Sequence, residues 1–464
     1  MPEAVAATAT VAPLVAPAAA PSRSVLLRQV LALAAPTTLL VATQSVCQLV
    51  EPWLAARQGT AALAGWAVVL PFMLLMQQMS AGAMGGGVVS AIARALGAGR
   101  REEASALVLH AVLIAVGFGL AFAVLLAGFP RAVLGLVGGR EAAEAAAPYA
   151  AWVFGAGAVP AWVANTLASV LRGGGRHALA SRVLLLAGLA WPPLAWVLME
   201  PAGLGLKGSG MAFALTNAAA AAGMAVVVVR GGAGFRPEFR GRPQAALFGR
   251  ILRVGLVACA LATLSNLATI LVTARIAAHG AAAVAAYGVS ARLEFLMVPL
   301  AFGVGSALTA LVGRAVGGGD WALARRTAWA GAALALAVTV PVGLLVSLFP
   351  GPVAALFAPD AEVAGIATRA LGIIGPALPG FGLGMALYFA AMGAGRMRGP
   401  VAAAVARILL AVGGGWLLGD ALGWGLEGQF LAVALGITAY GALNAAAVRP
   451  GVWSAASGAG GAAR

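Results

Sequence analysis

The segment Arg94-Ala95-Leu96-Gly97-Ala98-Gly99 recurs in the second half of the chain as Arg314-Ala315-Val316-Gly317-Gly318-Gly319. The same offset carries Gly173-Gly174-Gly175-Arg176 onto Gly393-Ala394-Gly395-Arg396. Almost in step with these, Gly59-Thr60-Ala61-Ala62-Leu63-Ala64 returns as Gly280-Ala281-Ala282-Ala283-Val284-Ala285. Alanine runs match one another by chance, so the spacing of Arg and Gly carries the weight. Three matches in one register describe one unit written twice. The medium of that unit follows from its charge content: 9% of residues are charged, against about 25% in soluble domains. With 62% hydrophobic residues and a mean hydropathy of +0.97, a water-soluble fold cannot hide the apolar surface. The chain is read as an all-α integral membrane protein. A duplicated membrane bundle is the usual plan of a secondary transporter, with the substrate path between the halves.

A bilayer core about 30 Å thick asks for about 20 apolar residues per helix, and about twelve such stretches are expected. They fall near 30–50, 65–90, 104–127, 148–170, 180–200 and 210–230, then 252–274, 284–312, 324–348, 366–391, 400–419 and 429–448. Six helices per repeat is an even number, so both lobes insert the same way up, related by a pseudo-twofold axis along the membrane normal. The expected organisation is a disordered leader over 1–24, an N-lobe over 25–230, a basic inter-lobe loop over 231–250, a C-lobe over 251–448 and a tail over 449–464. Of the 29 Lys and Arg residues, 22 fall on the side of the termini, 6 on the opposite side, and Arg292 within a helix. The positive-inside rule then predicts cytoplasmic termini. Heavy Ala, Gly and Arg usage fits a GC-rich bacterial genome and hence a bacterial inner membrane.

Several chemistries are excluded. The net charge of +15 is explained by topology and contact with anionic lipid, so no nucleic-acid partner is expected. Cys47 and Cys259 lie in apolar stretches and read as small core residues, while His110, His177 and His279 lack metal-ligand spacing. No metal or other cofactor is expected. Gly173-Gly174-Gly175 lacks the Lys-Ser/Thr and the preceding strand of a phosphate-binding loop. An intramembrane enzyme needs a clustered acid, His or Ser–Lys constellation, and none is visible.

Once loop charges are set aside, Glu51 is the clearest ionisable group at membrane depth. Gln48, Gln44 and Thr37 precede it by three, seven and fourteen residues, which places all four on one helical face. An acid at the bilayer centre costs about 2.5–3.5 kcal/mol even on a lenient scale, so the stripe is expected to face the bundle interior, where a carboxyl can carry a proton in and out. Glu294 is second. Arg292 is two residues away and points elsewhere, so Glu294 is expected to take a partner on another helix or a place in the substrate cavity. Prolines such as Pro36, Pro71, Pro299 and Pro341 kink helices that must bend, and Gly85, Gly86, Gly87, Gly303 and Gly305 permit close packing.

Val50-Glu51-Pro52 followed by Gly59-Thr60-Ala61-Ala62-Leu63-Ala64 resembles the first-helix signature of the multidrug and toxic-compound extrusion (MATE) family. So do Ser90-Ala91-Ile92-Ala93-Arg94-Ala95-Leu96-Gly97-Ala98-Gly99 with Glu102-Glu103-Ala104, Val170-Leu171-Arg172-Gly173-Gly174-Gly175, and Gly208-Ser209-Gly210-Met211-Ala212. The resemblance covers roughly residues 28–448. It implies twelve helices in two six-helix lobes and a monomeric exporter of cationic or amphipathic small molecules, driven by inward proton or sodium flow.

The family usually has Asp where this chain has Glu51, which implies Glu51 as the coupling-ion carboxyl, with Gln48 and Gln44 beside it. Tyr149 matches a tyrosine of the N-lobe pocket. Many members carry an Asn and an Asp four apart in helix five. Glu200 matches that acid, but Trp196 stands at the Asn position, which argues for protons over sodium. The acids some branches carry in helices seven and ten are absent, since those regions read Leu264-Ser265-Asn266 and Pro379-Gly380-Phe381-Gly382. Coupling is therefore expected in the N-lobe, as in the DinF-like branch. Asn165, Asn217, Asn266, Tyr388 and Glu294 are the expected cavity residues. The rival within the superfamily, a lipid-linked oligosaccharide flippase, asks for several basic residues in the cavity, where only Arg292 and Arg407 lie deep enough.

Overall fold

A computed structural model of the chain describes residues 21–239, 242–358 and 360–454. Among them, eleven helices are long and apolar enough to span a membrane, and one bent pair makes a twelfth. The N-lobe comprises α1 (Arg23–Arg57), α2 (Thr60–Gly97), α3 (Arg101–Leu126), α4 (Gly139–Ala156 with Ala158–Gly173), α5 (His177–Met199) and α6 (Leu206–Val229). The C-lobe comprises α7 (Ala245–Ala277), α8 (Ala281–Gly317), α9 (Trp321–Leu348), α10 (Ala361–Ala394), α11 (Arg398–Ala421) and α12 (Gly425–Ala447). Every expected span is matched, and most of the helices are longer than the expected apolar run. The α4 pair bends by 43° where the widened turns Ala151–Ala156 meet Gly157, a recognised cause of a kink.

The duplication goes deeper than the motifs that revealed it. Left-handed glycines recur in pairs: Gly99 and Gly319 have φ of +74° and +79°, and Gly175 and Gly395 have +80° and +72°. Only glycine takes this conformation without strain, so the repeated Gly spacing records two identical turns. Phe129-Pro130 and Phe349-Pro350 are related by the same offset, and each opens a helical segment with proline in the first turn.

The lobes meet along the halves of α1, α2, α7, α8 and α10 nearest the arginine-rich face. The contact is backbone to backbone. A side chain on Gly97 would strike the Arg314 carbonyl, and one on Gly317 would strike the Arg94 carbonyl. Gly87 packs on Gly255, and Gly303 on Thr38. Polar bonds cross the same seam. Ser90 Oγ donates to the carbonyls of Met392 and Gly393 at 2.6 and 3.0 Å, and Arg314 Nη2 donates to Gly174 O at 2.8 Å. Arg94 in turn lies against Gly395, so each lobe's arginine reaches the other lobe's glycine turn. The first part of α2, Thr60–Gln77, packs instead on α1, α4 and the segment before α4, within its own lobe. The lobes are thus joined at the basic face.

Two expected boundaries shift. The first helix begins at Arg23, with Ser22 as its N-cap, and residues 1–20 of the expected leader lie outside the described residues. The inter-lobe loop ends at Gln244, because α7 extends back to Ala245. Its described residues are pinned to α3: Ser105 Oγ donates to Arg236 O and accepts from Glu238 N, and His110 Nε2 accepts from Gln244 N at 2.8 Å. In the expected tail, Trp453 is buried against Trp321.

Gly97→Leu is expected to wedge the seam open without unfolding either lobe. Spin labels at Ala98 and Gly318 should then report a longer, broader distance distribution than in the parent protein, and an unchanged distribution would contradict the tight-seam account.

Candidate functional site

Glu51 sits where four helices converge. Helix α1 breaks at Gln48–Leu49 and resumes at Val50; Pro52 supplies no N–H, which helps to free backbone there. The break swings Glu51 into the lobe, where it is 3% exposed. Tyr149 Oη, from the residues leading into the α4 kink, donates to Glu51 Oε1 at 2.7 Å. Ser209 Oγ, from α6, donates to the same oxygen. The indole N–H of Trp66 in α2 is buried beside the carboxyl without a completed hydrogen bond. Small neighbours make this convergence possible: a Cβ on Gly208 would strike the Leu198 backbone, and one on Gly210 would strike Tyr149 O. Ser209 is thereby held against α4 with its hydroxyl on the acid.

Of the expected stripe, the structure brings none of the other members to Glu51. Gln48 Nε2 donates to Gln77 Oε1 at 3.4 Å, Gln44 packs on Gly188, and Thr37 Oγ1 lies 3.5 Å from His177 Nδ1. The helix break between Gln48 and Glu51 accounts for the difference, since an unbroken 3.6-residue period no longer applies across it.

Glu200 is also elsewhere. Its carboxylate takes Arg57 Nε at 2.6 Å and Nη2 at 3.3 Å, with Trp196 Nε1 at 3.1 Å. The Arg57 guanidinium holds the Glu200 carboxyl below the usual carboxylate range. The C-lobe repeats this clamp as Arg275 with Asp420, supported by Gln429, and Asp420 is the repeat counterpart of Glu200. Glu200 therefore joins α1 to α5 at the less basic face, where the sequence had suggested a ligand beside Glu51.

The cavity candidates make separate contacts. Asn165 Nδ2 donates to Ser80 Oγ at 3.0 Å. Asn266 Nδ2 bridges the lobes to Gln78 Oε1 at 3.1 Å, while Asn217 is turned onto its own helix at Phe213 O. Tyr388 packs edge-on to Phe389, 5.1 Å between centroids. Glu294 pairs with Arg407 Nη2 at 2.8 Å, whereas Arg292 is exposed. Ser80 and Gln78 lie in the π-helical turns Gln78–Met84, and the turns Ala151–Ala156 and Leu409–Gly413 follow Tyr149 and Arg407. Such widened turns recur at functional positions in helices.

Sequence reasoning missed Ser209, Trp66 and Asp420. The repeat offset applied to Glu200 was the available signal for Asp420. Charge counting also placed Arg172 in a loop. That residue is 2% exposed, with its guanidinium 5.7 Å from the Phe302 ring across the seam.

The family model described as MatE matches residues 36–197 and 256–417, two segments in the register of the internal repeat. A probable multidrug resistance protein NorM from Xanthomonas campestris pv. campestris is 28% identical over 442 residues, covering 91% of this chain and 94% of that one. The crystal structure of the Vibrio cholerae MATE transporter VcmN in its bent form superposes with a TM-score of 0.85 at 22% identity, covering 92% and 97% of the two chains. A MOP superfamily transporter from Pyrococcus furiosus gives 0.84 at 21% identity over 92% and 96%.

Tyr149→Phe and Ser209→Ala each remove one donor from a buried acid and are expected to lower stability by about 1–3 kcal/mol. In a Glu51→Leu background both losses should shrink, because the acceptor is gone; undiminished losses in thermal unfolding would mean the hydroxyls act elsewhere. The Glu200 clamp has the opposite pH character from a proton carrier. A lowered carboxyl pKa gives a contribution present above the ordinary value and lost only as pH falls through the lowered one. Glu200→Gln is therefore expected to leave the pH profile of activity unchanged above about pH 5, which a profile from pH 5 to 9 checks.

Proposed function

Because the chain belongs to the MatE family of multidrug and toxic-compound extrusion transporters, we propose that it exports amphipathic organic cations by proton antiport through Glu51. The carrying observation is the Glu51 carboxyl, buried among α1, α2, α4 and α6 with Tyr149 and Ser209 both donating to Oε1. Donors converge on a carboxylate, and a proton added to it must disturb that convergence. Protonation is thus linked to the packing of the helices that surround it.

The donor set favours a proton over sodium. A hard cation asks for several oxygen ligands in one cage, and the nearby groups are one carboxylate, two hydroxyls that donate to it, and an indole N–H. Glu200 is engaged by Arg57, which removes the second acid from consideration. The coupling lies in the N-lobe, consistent with a DinF-like plan.

By the positive-inside rule the joined basic face is cytoplasmic, so this arrangement is closed to the cytoplasm. We assign the chain to a bacterial inner membrane with both termini inside. Rocking of the lobes about the seam gives alternating access. The walls between them are largely apolar, with Gln48, Asn165 and Asn266 setting orientation. Loading a lipid-linked pyrophosphate would ask for free cations in the cavity, whereas Arg407 is neutralised by Glu294 and Arg172 is buried against Phe302.

In everted vesicles, Glu51→Gln is expected to abolish pH-gradient-driven accumulation of ethidium while Glu51→Asp retains much of it. Undiminished transport by Glu51→Gln would falsify the assignment. With the pH gradient collapsed, an imposed sodium gradient should drive little transport; robust sodium-driven movement would overturn proton coupling.

A further inference from the structure

The charged pair inside the C-lobe is built like a receptor already holding its ligand. Glu294 from α8 and Arg407 from α11 meet at 2.8 Å. The Arg407 guanidinium also lies over two rings, Phe381 of α10 at 5.5 Å and Tyr440 of α12 at 5.7 Å from their centroids. A carboxylate flanked by aromatic faces is a general receptor for an organic cation. Here the cation belongs to the chain itself.

Three further observations separate this cluster from a structural ion pair. Neither partner is sealed in, since side-chain exposure is 18% for Glu294 and 27% for Arg407. One helical turn from Glu294 on the same face of α8, the Ser290 hydroxyl is buried and has no hydrogen-bond partner among the described residues. Just beyond Arg407, α11 widens into the π-helical turns Leu409–Gly413, a geometry associated with adjustable positions in helices. The pair is also not a copy of anything in the N-lobe: the repeat sets Glu294 against Met73 and Leu74, and Arg407 against Ala187.

We propose that Glu294, Phe381 and Tyr440 form a second binding site for an organic cation, with Arg407 as its tethered occupant. The entering cation takes the place of the guanidinium on the carboxylate and rings, and Arg407 returns when the cation leaves. One positive charge thus faces Glu294 in either condition, so the acid is never left unpaired at membrane depth, where an uncompensated charge is strongly disfavoured. The site serves the organic-cation export proposed above and rests on that reading.

The test is the affinity of the full-length protein in nanodiscs for tetraphenylphosphonium, at fixed pH. Removing the tethered competitor should strengthen binding, so Arg407→Gln is expected to tighten the Kd by about tenfold or more. Adding Glu294→Gln to that variant should remove the gain. An Arg407→Gln protein that binds no tighter than the parent overturns the site, as does a gain that survives Glu294→Gln. Should Arg407→Gln fail to fold, Arg407→Lys keeps the charge but loses the planar fork that stacks on the rings. It is expected to tighten binding by a smaller factor, and unchanged or weaker binding overturns the site equally. The export reading fails separately. Glu51-dependent efflux with unchanged Arg407→Gln affinity removes the C-lobe site alone, whereas tighter Arg407→Gln binding without efflux by the parent removes the export reading alone.

Discussion

The seam between the lobes depends on backbone contact that only glycine allows. Gly97 against the Arg314 carbonyl and Gly317 against the Arg94 carbonyl bring α2 and α8 closer than any side chain would permit. Lipid offers no hydrophobic drive for helix association, so close backbone packing and inter-helix hydrogen bonds must supply it. Ser90 on the Met392 and Gly393 carbonyls and Arg314 on the Gly174 carbonyl provide the second kind. A contact made this way is short-ranged: it is either fully made or lost. That is the property a two-state carrier needs at the face it closes, because packed interfaces are bistable rather than continuously deformable.

The duplication divides the molecule into parts that repeat and parts that do not. The left-handed glycine turns, the Phe-Pro helix starts and the Arg–acid clamps at the less basic face all recur in the second lobe. The polar clusters do not. The counterparts of Glu51, Tyr149 and Ser209 are Val272, Arg369 and Gln429. What repeats fixes the path of the chain, where two copies face the same mechanical demand. What differs lies at depth, where a buried charge needs specific partners and no backbone rule dictates which helix supplies them. The placement of Glu200 follows from this division, since an acid repeated as Asp420 belongs to the scaffold.

Span number, helix order and the twofold plan were legible because apolar length and Gly–Arg spacing are properties of the backbone path. Glu51 was legible as an isolated acid next to a proline. Its partners were not. Ser209 appeared as one small residue among others in Gly208-Ser209-Gly210, and its role depends on the approach of α6 to α4, which no local pattern encodes. The polar stripe through Gln48 and Gln44 misled because periodicity assumes an unbroken helix, and α1 breaks just before the acid. Arg172 read as a loop cation because charge counting assigns residues by distance along the chain, whereas its guanidinium is drawn inward onto Phe302.

The energy scale at Glu51 is suited to moving the whole carrier. Hydrogen bonds to a charged group contribute about 1.5–3 kcal/mol each, and Tyr149 and Ser209 supply two from different helices. Taking a two-state equilibrium from one side to the other asks for about 5.5 kcal/mol of differential stabilisation. Loss or reorganisation of both bonds on protonation is of that order, so on the proposed reading one proton at one carboxyl is enough without a network of titrating groups. The linkage is reciprocal. Whatever favours the packing of α1, α4 and α6 around the ionised acid must also favour release of its proton, so on the proposed antiport reading a substrate cation binds preferentially to that packed arrangement and drives the proton out.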